Sequence, residues 1–136
     1  MANRDTMDYI TILTAGNATD FGNLTTAQYG GKTACSIVRG IIFGGHGAPG
    51  AIDYITIASV GNATDFGDHV NTTNVDYNWC VHNKIYAYFA RILDANQEKH
   101  TIATAANATA FLWTSLGNTG TNALQTPIKG WIAASG

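Results

Sequence analysis

Residues 8 to 22, DYITILTAGNATDFG, return at 53 to 67 as DYITIASVGNATDFG, with 12 of 15 positions identical. A repeat of that fidelity restricts the chain to folds built from copies of one small unit, because equivalent side chains must find equivalent surroundings. The offset is 45 residues, and one further step lands on KHTIATAANATAFLW at 99 to 113, which keeps Thr101, Ile102, Asn107, Ala108, Thr109 and Phe111. Downstream, the same offset aligns Cys35 with Cys80, and Arg39 with Lys84 and Lys129. It also aligns RGIIF at 39–43 with KIYAY at 84–88 and KGWIA at 129–133. Three units, at about 1–46, 47–91 and 92–136, therefore fill a single 136-residue repeat domain.

Within a unit the pattern is β. The run Tyr9–Ile12 is short and β-branched and precedes a Gly16-Asn17 turn signal, so it reads as a strand and a turn. Further strands are expected at Ala18–Phe21, Lys32–Ile37 and Arg39–Phe43, the last closed by Gly44-Gly45. Residues 84–93, KIYAYFARIL, have helical spacing, but the repeat aligns them with RGIIF and predicts a strand. Four short strands in about 45 residues is the arithmetic of one propeller blade. Phe21, Phe66 and Phe111 are expected to form one layer of the core, and Ile12, Ile57 and Ile102 another.

Charge narrows the function classes. Only 12% of residues are charged, against about 25% in an average chain, and the net charge is −2. There is no basic field for nucleic acid. No apolar run is long enough to insert in a membrane, and MANRDTMDY lacks the apolar core of a signal peptide. Cys35 and Cys80 are too few for a disulfide framework and read as one small buried position used twice.

The order RGIIFGG followed by IDYITIASVGNATDFGDHV resembles the Kelch-like repeats found in tandem in proteins of marine phages and algal viruses. In such a unit an apolar strand ends in a diglycine, the next strand carries a Tyr, and an aromatic follows a polar turn; Gly44-Gly45, Tyr54 and Phe66 fit that order. The resemblance implies a β-propeller-type protein of viral origin and a place in the virion. Propellers close with about four to eight blades, so three units imply completion by oligomerisation, for instance as a dimer. The competing all-β architecture is a three-fold monomer, a β-trefoil or β-prism.

Residue chemistry points away from catalysis. His46, His69, His82 and His100 show no metal-ligand spacing with one another or with cysteine, so no metal or cofactor is expected. Asp20 and Asp65 are equivalent and read as structural, bonding the turn backbone or pairing with Arg39 or Lys84. Asn17, Asn62 and Asn107 open Asn-Ala-Thr triplets and read as hairpin residues in left-handed geometry. The aromatic residues expected to be exposed are Trp79 and Trp113, candidates for stacking on a sugar ring. The expectation is a non-enzymatic viral structural protein of capsid or tail, made in the host cytoplasm. Its expected partners are itself and other virion proteins, and a glycan-binding, lectin-like module is the alternative.

Overall fold

Twelve short antiparallel strands make up a computed structural model that describes residues 2–70, 72, 78–91, 97–111, 121–125 and 130–134. A hairpin of β1 (Arg4–Tyr9) and β2 (Thr19–Gln28) comes first. A four-stranded meander follows: β3 (Lys32–Cys35), β4 (Arg39–Phe43), β5 (Ala51–Thr56) and β6 (Thr64–Asp68). The next meander is β7 (Asn78–His82), β8 (Tyr86–Arg91), β9 (Gln97–Thr101) and β10 (Thr109–Phe111). A second hairpin, β11 (Thr121–Gln125) and β12 (Gly130–Ala134), comes last. The chain is all-β, with no helix among the described residues. Tyr86–Arg91, which helical spacing alone would have made a helix, is the strand between β7 and β9.

The meanders pack face to face, as alternation requires when one side of each strand is apolar. Ala34, Ile41, Phe43, Ile52 and Phe66 from β3–β6 meet Ala87, Phe89 and Ile102 from the β7–β10 meander and the turn after β9. Phe43 and Phe89 stack with ring centroids 5.0 Å apart. The opposite side of β7 and β8 buries Trp79, Val81 and Ala90, with Tyr88 against them. β7 runs beside β3 and β11, and β2 approaches β5 and β6.

Two phenylalanines of the expected core layer have like surroundings. Phe21 meets Tyr9 edge-on at 6.1 Å, and Phe66 meets Tyr54 edge-on at 6.2 Å, both pairs being 45 residues apart. The side chain of Phe111 lies outside the described residues.

The isoleucine layer is corrected. The strands end at Tyr9, Thr56 and Thr101, and the next residues turn. Thr14 N donates to Thr11 O at 3.2 Å, Ser59 N to Thr56 O at 3.0 Å, and Thr104 N to Thr101 O at 3.1 Å. Ile12, Ile57 and Ile102 thus stand second in three equivalent turns at a sheet end instead of inside a strand. Their exposures are 90%, 45% and 0%. What precedes each turn accounts for the gradient. Ile102 has the whole β3–β6 meander against its sheet, with the Arg39 guanidinium donating to the carbonyls of Ile102 and Ala103 at 3.2 and 2.8 Å. Ile57 has only the two-stranded β1–β2 hairpin before its sheet, and Ile12 belongs to that hairpin itself.

The cysteine equivalence is also corrected. In one meander Ser36 Oγ accepts from the backbone N–H groups of Val38 and Arg39; in the next, Asn83 Oδ1 accepts from those of Ile85 and Tyr86. These turns are 47 residues apart, so in space Arg39 corresponds to Tyr86, and Cys35 to His82. Two extra residues enter before β7 and are removed before β9. Cys35 is exposed and Cys80 is half-buried, and both are free thiols. Burial pushes the Cys80 thiol up to about 12, with Lys32 opposing weakly. Only the thiolate attacks a maleimide or disulfide reagent. Native protein at pH 8 is therefore expected to label rapidly at Cys35 and to leave Cys80 unmodified until denaturant is added, as peptide mass mapping will show.

Candidate functional site

Successive sheets are joined by side-chain bonds that recur at the sequence offset. Asn62 Oδ1 accepts from Asn23 N at 3.0 Å, and Asn107 Oδ1 from Asp68 N at 3.1 Å. Beside them Ala63 N donates to Asn23 O, and Ala108 N to Asp68 O, each at 2.8 Å. The asparagines of the GNAT and ANAT segments therefore grip the preceding sheet. Neither has a positive φ, so the left-handed turn reading is replaced by a long-range one.

The last glycine of GNATDFG makes this approach possible. Gly22 and Gly67 have φ of +142° and +138°, and a Cβ on either would strike the next unit's backbone, at Gly61 and at Ala106 respectively. Asp65 bonds its own turn, Oδ1 accepting from Gly67 N at 3.1 Å. Asp65 thus has the structural role expected of it.

A second recurring clasp is a buried carboxylate. Asp53, 3% exposed, accepts from Thr25 N at 2.9 Å and from Thr25 Oγ1 at 2.6 Å. Forty-five residues on, Glu98 Oε1 accepts from Val70 N at 2.9 Å. The longer Glu side chain brings its other oxygen to two imidazoles, His69 Nδ1 at 2.5 Å and His100 Nε2 at 3.5 Å. All three residues are buried, and their donor atoms lie within 4.8 Å of one another. Burial would raise the Glu98 pKa, but hydrogen bonds and charge from His100 and His69 hold it at about 2.

Aromatic rings enclose the group. The His69 ring is 4.5 Å from Phe89 and 5.7 Å from Phe43, and the His100 ring is 5.1 Å from Phe43 and 6.3 Å from Phe66. No family model, curated protein or solved structure matches the chain.

The expectation of scattered histidines is thus overturned for His69 and His100. One part of the cluster has a sequence signal, since Glu98-Lys99-His100 puts two donors on the same face of a strand. His69, at the end of β6, comes from the neighbouring sheet and has no local signal.

Trp79 is corrected as a surface platform. It is 4% exposed, because β7 is flanked by β3 and β11 and its Trp79–Val81 side lies in the core. Trp113 lies outside the described residues. No helix among the described residues is long and apolar enough to cross a membrane.

Proposed function

We propose that the chain is a structural repeat protein of a virus particle, in capsid or tail, and that it acts by joining to copies of itself. In this reading each unit is a β-propeller-type blade, and hairpins β11–β12 and β1–β2 are two halves of one further blade, completed between copies. The observation that supports it is an unused set of clasps. Asp8, Asn17 and Ala18 stand 45 residues before Asp53, Asn62 and Ala63, and all three are exposed. The positions that would receive them, Trp113 and Ser115, stand 45 residues after Asp68 and Val70.

The strand edges agree. β1 and β12 lie in separate two-stranded sheets, so among the described residues nothing pairs with the edge of β1 that β5 gives to β4, or with the edge of β12 that β4 gives to β5. Carried over from Ile41↔Tyr54 and Ile42↔Asp53, the ladder between copies pairs Trp131 with Tyr9 and Ile132 with Asp8. Strand addition would cover two open edges, and the half-covered Ile57 and bare Ile12 would gain the neighbour that Ile102 has. Such a contact is head-to-tail, so it generates a ring or a filament. The placement in a virion draws on the resemblance to Kelch-like repeats of phage and algal-virus proteins.

Leu112 stands where Gly22 and Gly67 admit the next unit's backbone. The junction between copies therefore rests on the β12–β1 ladder and on Asp8 more than on a close turn contact. Leu112→Gly, which restores the glycine found at the other two positions, is expected to tighten association about 10-fold. Sedimentation velocity over a micromolar concentration series tests the reading. Discrete higher species whose population grows with concentration are expected, and a strict monomer throughout would contradict it.

A further inference from the structure

We infer that His69, Glu98 and His100 form a binding site for a divalent first-row transition ion of the zinc type. The site is independent of the assembly reading, since it lies between two sheets of one chain.

The donor set is the first argument. Two imidazoles and one carboxylate make the three-protein-ligand set used for zinc, and equally for other borderline divalent ions. The ligand atoms are His69 Nδ1, Glu98 Oε2 and His100 Nε2, already within 4.8 Å of one another. Ligand atoms about 2.0–2.2 Å from a common ion are roughly 3.3 Å apart. His100 Nε2 is 3.5 Å from Glu98 Oε2, and the 2.5 Å contact of His69 opens when the ion replaces the hydrogen between those atoms. That hydrogen leaves as a proton to solvent, as metal binding to a histidine donor requires. A solvent molecule completes the shell.

His100 supplies the second argument. It is 3% exposed, its Nδ1 has no hydrogen-bond partner, and its Nε2 reaches only the Glu98 carboxylate, at the long distance of 3.5 Å. A buried ring nitrogen without a partner is costly, typically about 1–3 kcal/mol, and persists where another demand holds it. Phe43 and Phe66 flank it and offer no acceptor.

The third argument is departure from the repeat. One unit earlier the corresponding residues are Leu24, Asp53 and Ile55, and there the carboxylate makes its backbone clasp with apolar residues at both histidine positions. The clasp alone therefore needs neither histidine. Both appear together, on different sheets, at the junction where they converge on the same oxygen.

The earlier unit also provides the test. The wild-type chain, stripped with chelator, and the variant H69L/H100I, which installs the residues of the preceding unit, are titrated with Zn²⁺ against a chromophoric chelator. Thermal unfolding is followed with and without Zn²⁺. The wild type is expected to take up one Zn²⁺ per chain with micromolar or tighter affinity and to melt at a higher temperature when loaded. The variant is expected to keep the β circular dichroism and to bind at least about 100-fold more weakly. His100→Gln, which keeps a polar side chain of similar reach, should also lose binding and serves where the double variant does not fold. With Co²⁺ as probe, a visible absorption band characteristic of nitrogen and oxygen ligands should appear in the wild type and be absent from His100→Gln. Failure of the stripped wild type to take up Zn²⁺ at ten-fold excess overturns the inference, as does uptake equal to wild type in His100→Gln.

Discussion

Gly67→Ala is expected to lower the unfolding free energy by about 3 kcal/mol or more, while Gly61→Ala, in the same GNATDFG segment, changes it by less than about 0.5 kcal/mol. Gly67 is buried at φ +138°, a backbone angle that side chains resist, and its missing Cβ is the space taken by the backbone of Ala106. The penalty has two parts, roughly 1–3 kcal/mol for the backbone angle and a similar amount for overpacking against an atom that cannot swing aside. Gly61 has nothing within 4 Å of an added Cβ and no positive φ. Domains of this size are stable by only about 5–15 kcal/mol, so the Gly67 variant should show a large fall in urea midpoint, or fail to fold at 37 °C. Equal effects at the two glycines would mean that the sheets are not joined through this turn.

The double variant Asp8→Ala with Asn17→Ala is expected to leave the melting temperature of the monomer unchanged and to weaken self-association about 100-fold. Both side chains are exposed and belong to the hairpin at the start of the chain. Their counterparts are engaged: Asp53 with both Thr25 donors, Asn62 with Asn23 N. Bonds to a charged acceptor contribute about 1.5–3 kcal/mol and neutral ones about 0.5–1.5 kcal/mol, which sets the size of the effect. Asp53→Ala should do the reverse, costing the monomer about 1–3 kcal/mol by stripping the Thr25 amide and hydroxyl of their acceptor. Sedimentation equilibrium for association and urea titration for stability separate the two outcomes.

Residues whose role is local were readable before the structure. Arg39–Phe43 is a strand because Arg-Gly-Ile-Ile-Phe is short, β-branched and bounded by Gly44-Gly45, and it was found with its expected ends. Phe21 and Phe66 were legible because a repeat transfers burial from one copy to the next. Ile12 and Ile57 misled because Tyr-Ile-Thr-Ile has strand chemistry on paper, whereas the hydrogen bonds from Thr14 to Thr11 and from Ser59 to Thr56 close turns there. What covers each isoleucine is set by the preceding sheet, which differs from copy to copy.

A fixed offset also hides loops that take in two residues and return them, so Cys35 and Cys80 matched in sequence but not in space. The asparagines, the Asp53 and Glu98 carboxylates and the histidine cluster act across sheets. Partners 28 or 39 residues away leave no local pattern to read.

Cysteine trapping between copies tests the split-sheet assembly most directly. In a Cys35→Ser background, one preparation carries Tyr9→Cys and the other Trp131→Cys, and the two are mixed under mild oxidation. Disulfide-linked dimers should form in the mixture and in neither preparation alone, because β1 of one copy meets β12 of the next with those residues opposite. Dimers from either preparation alone, or none from the mixture, would contradict the head-to-tail ladder.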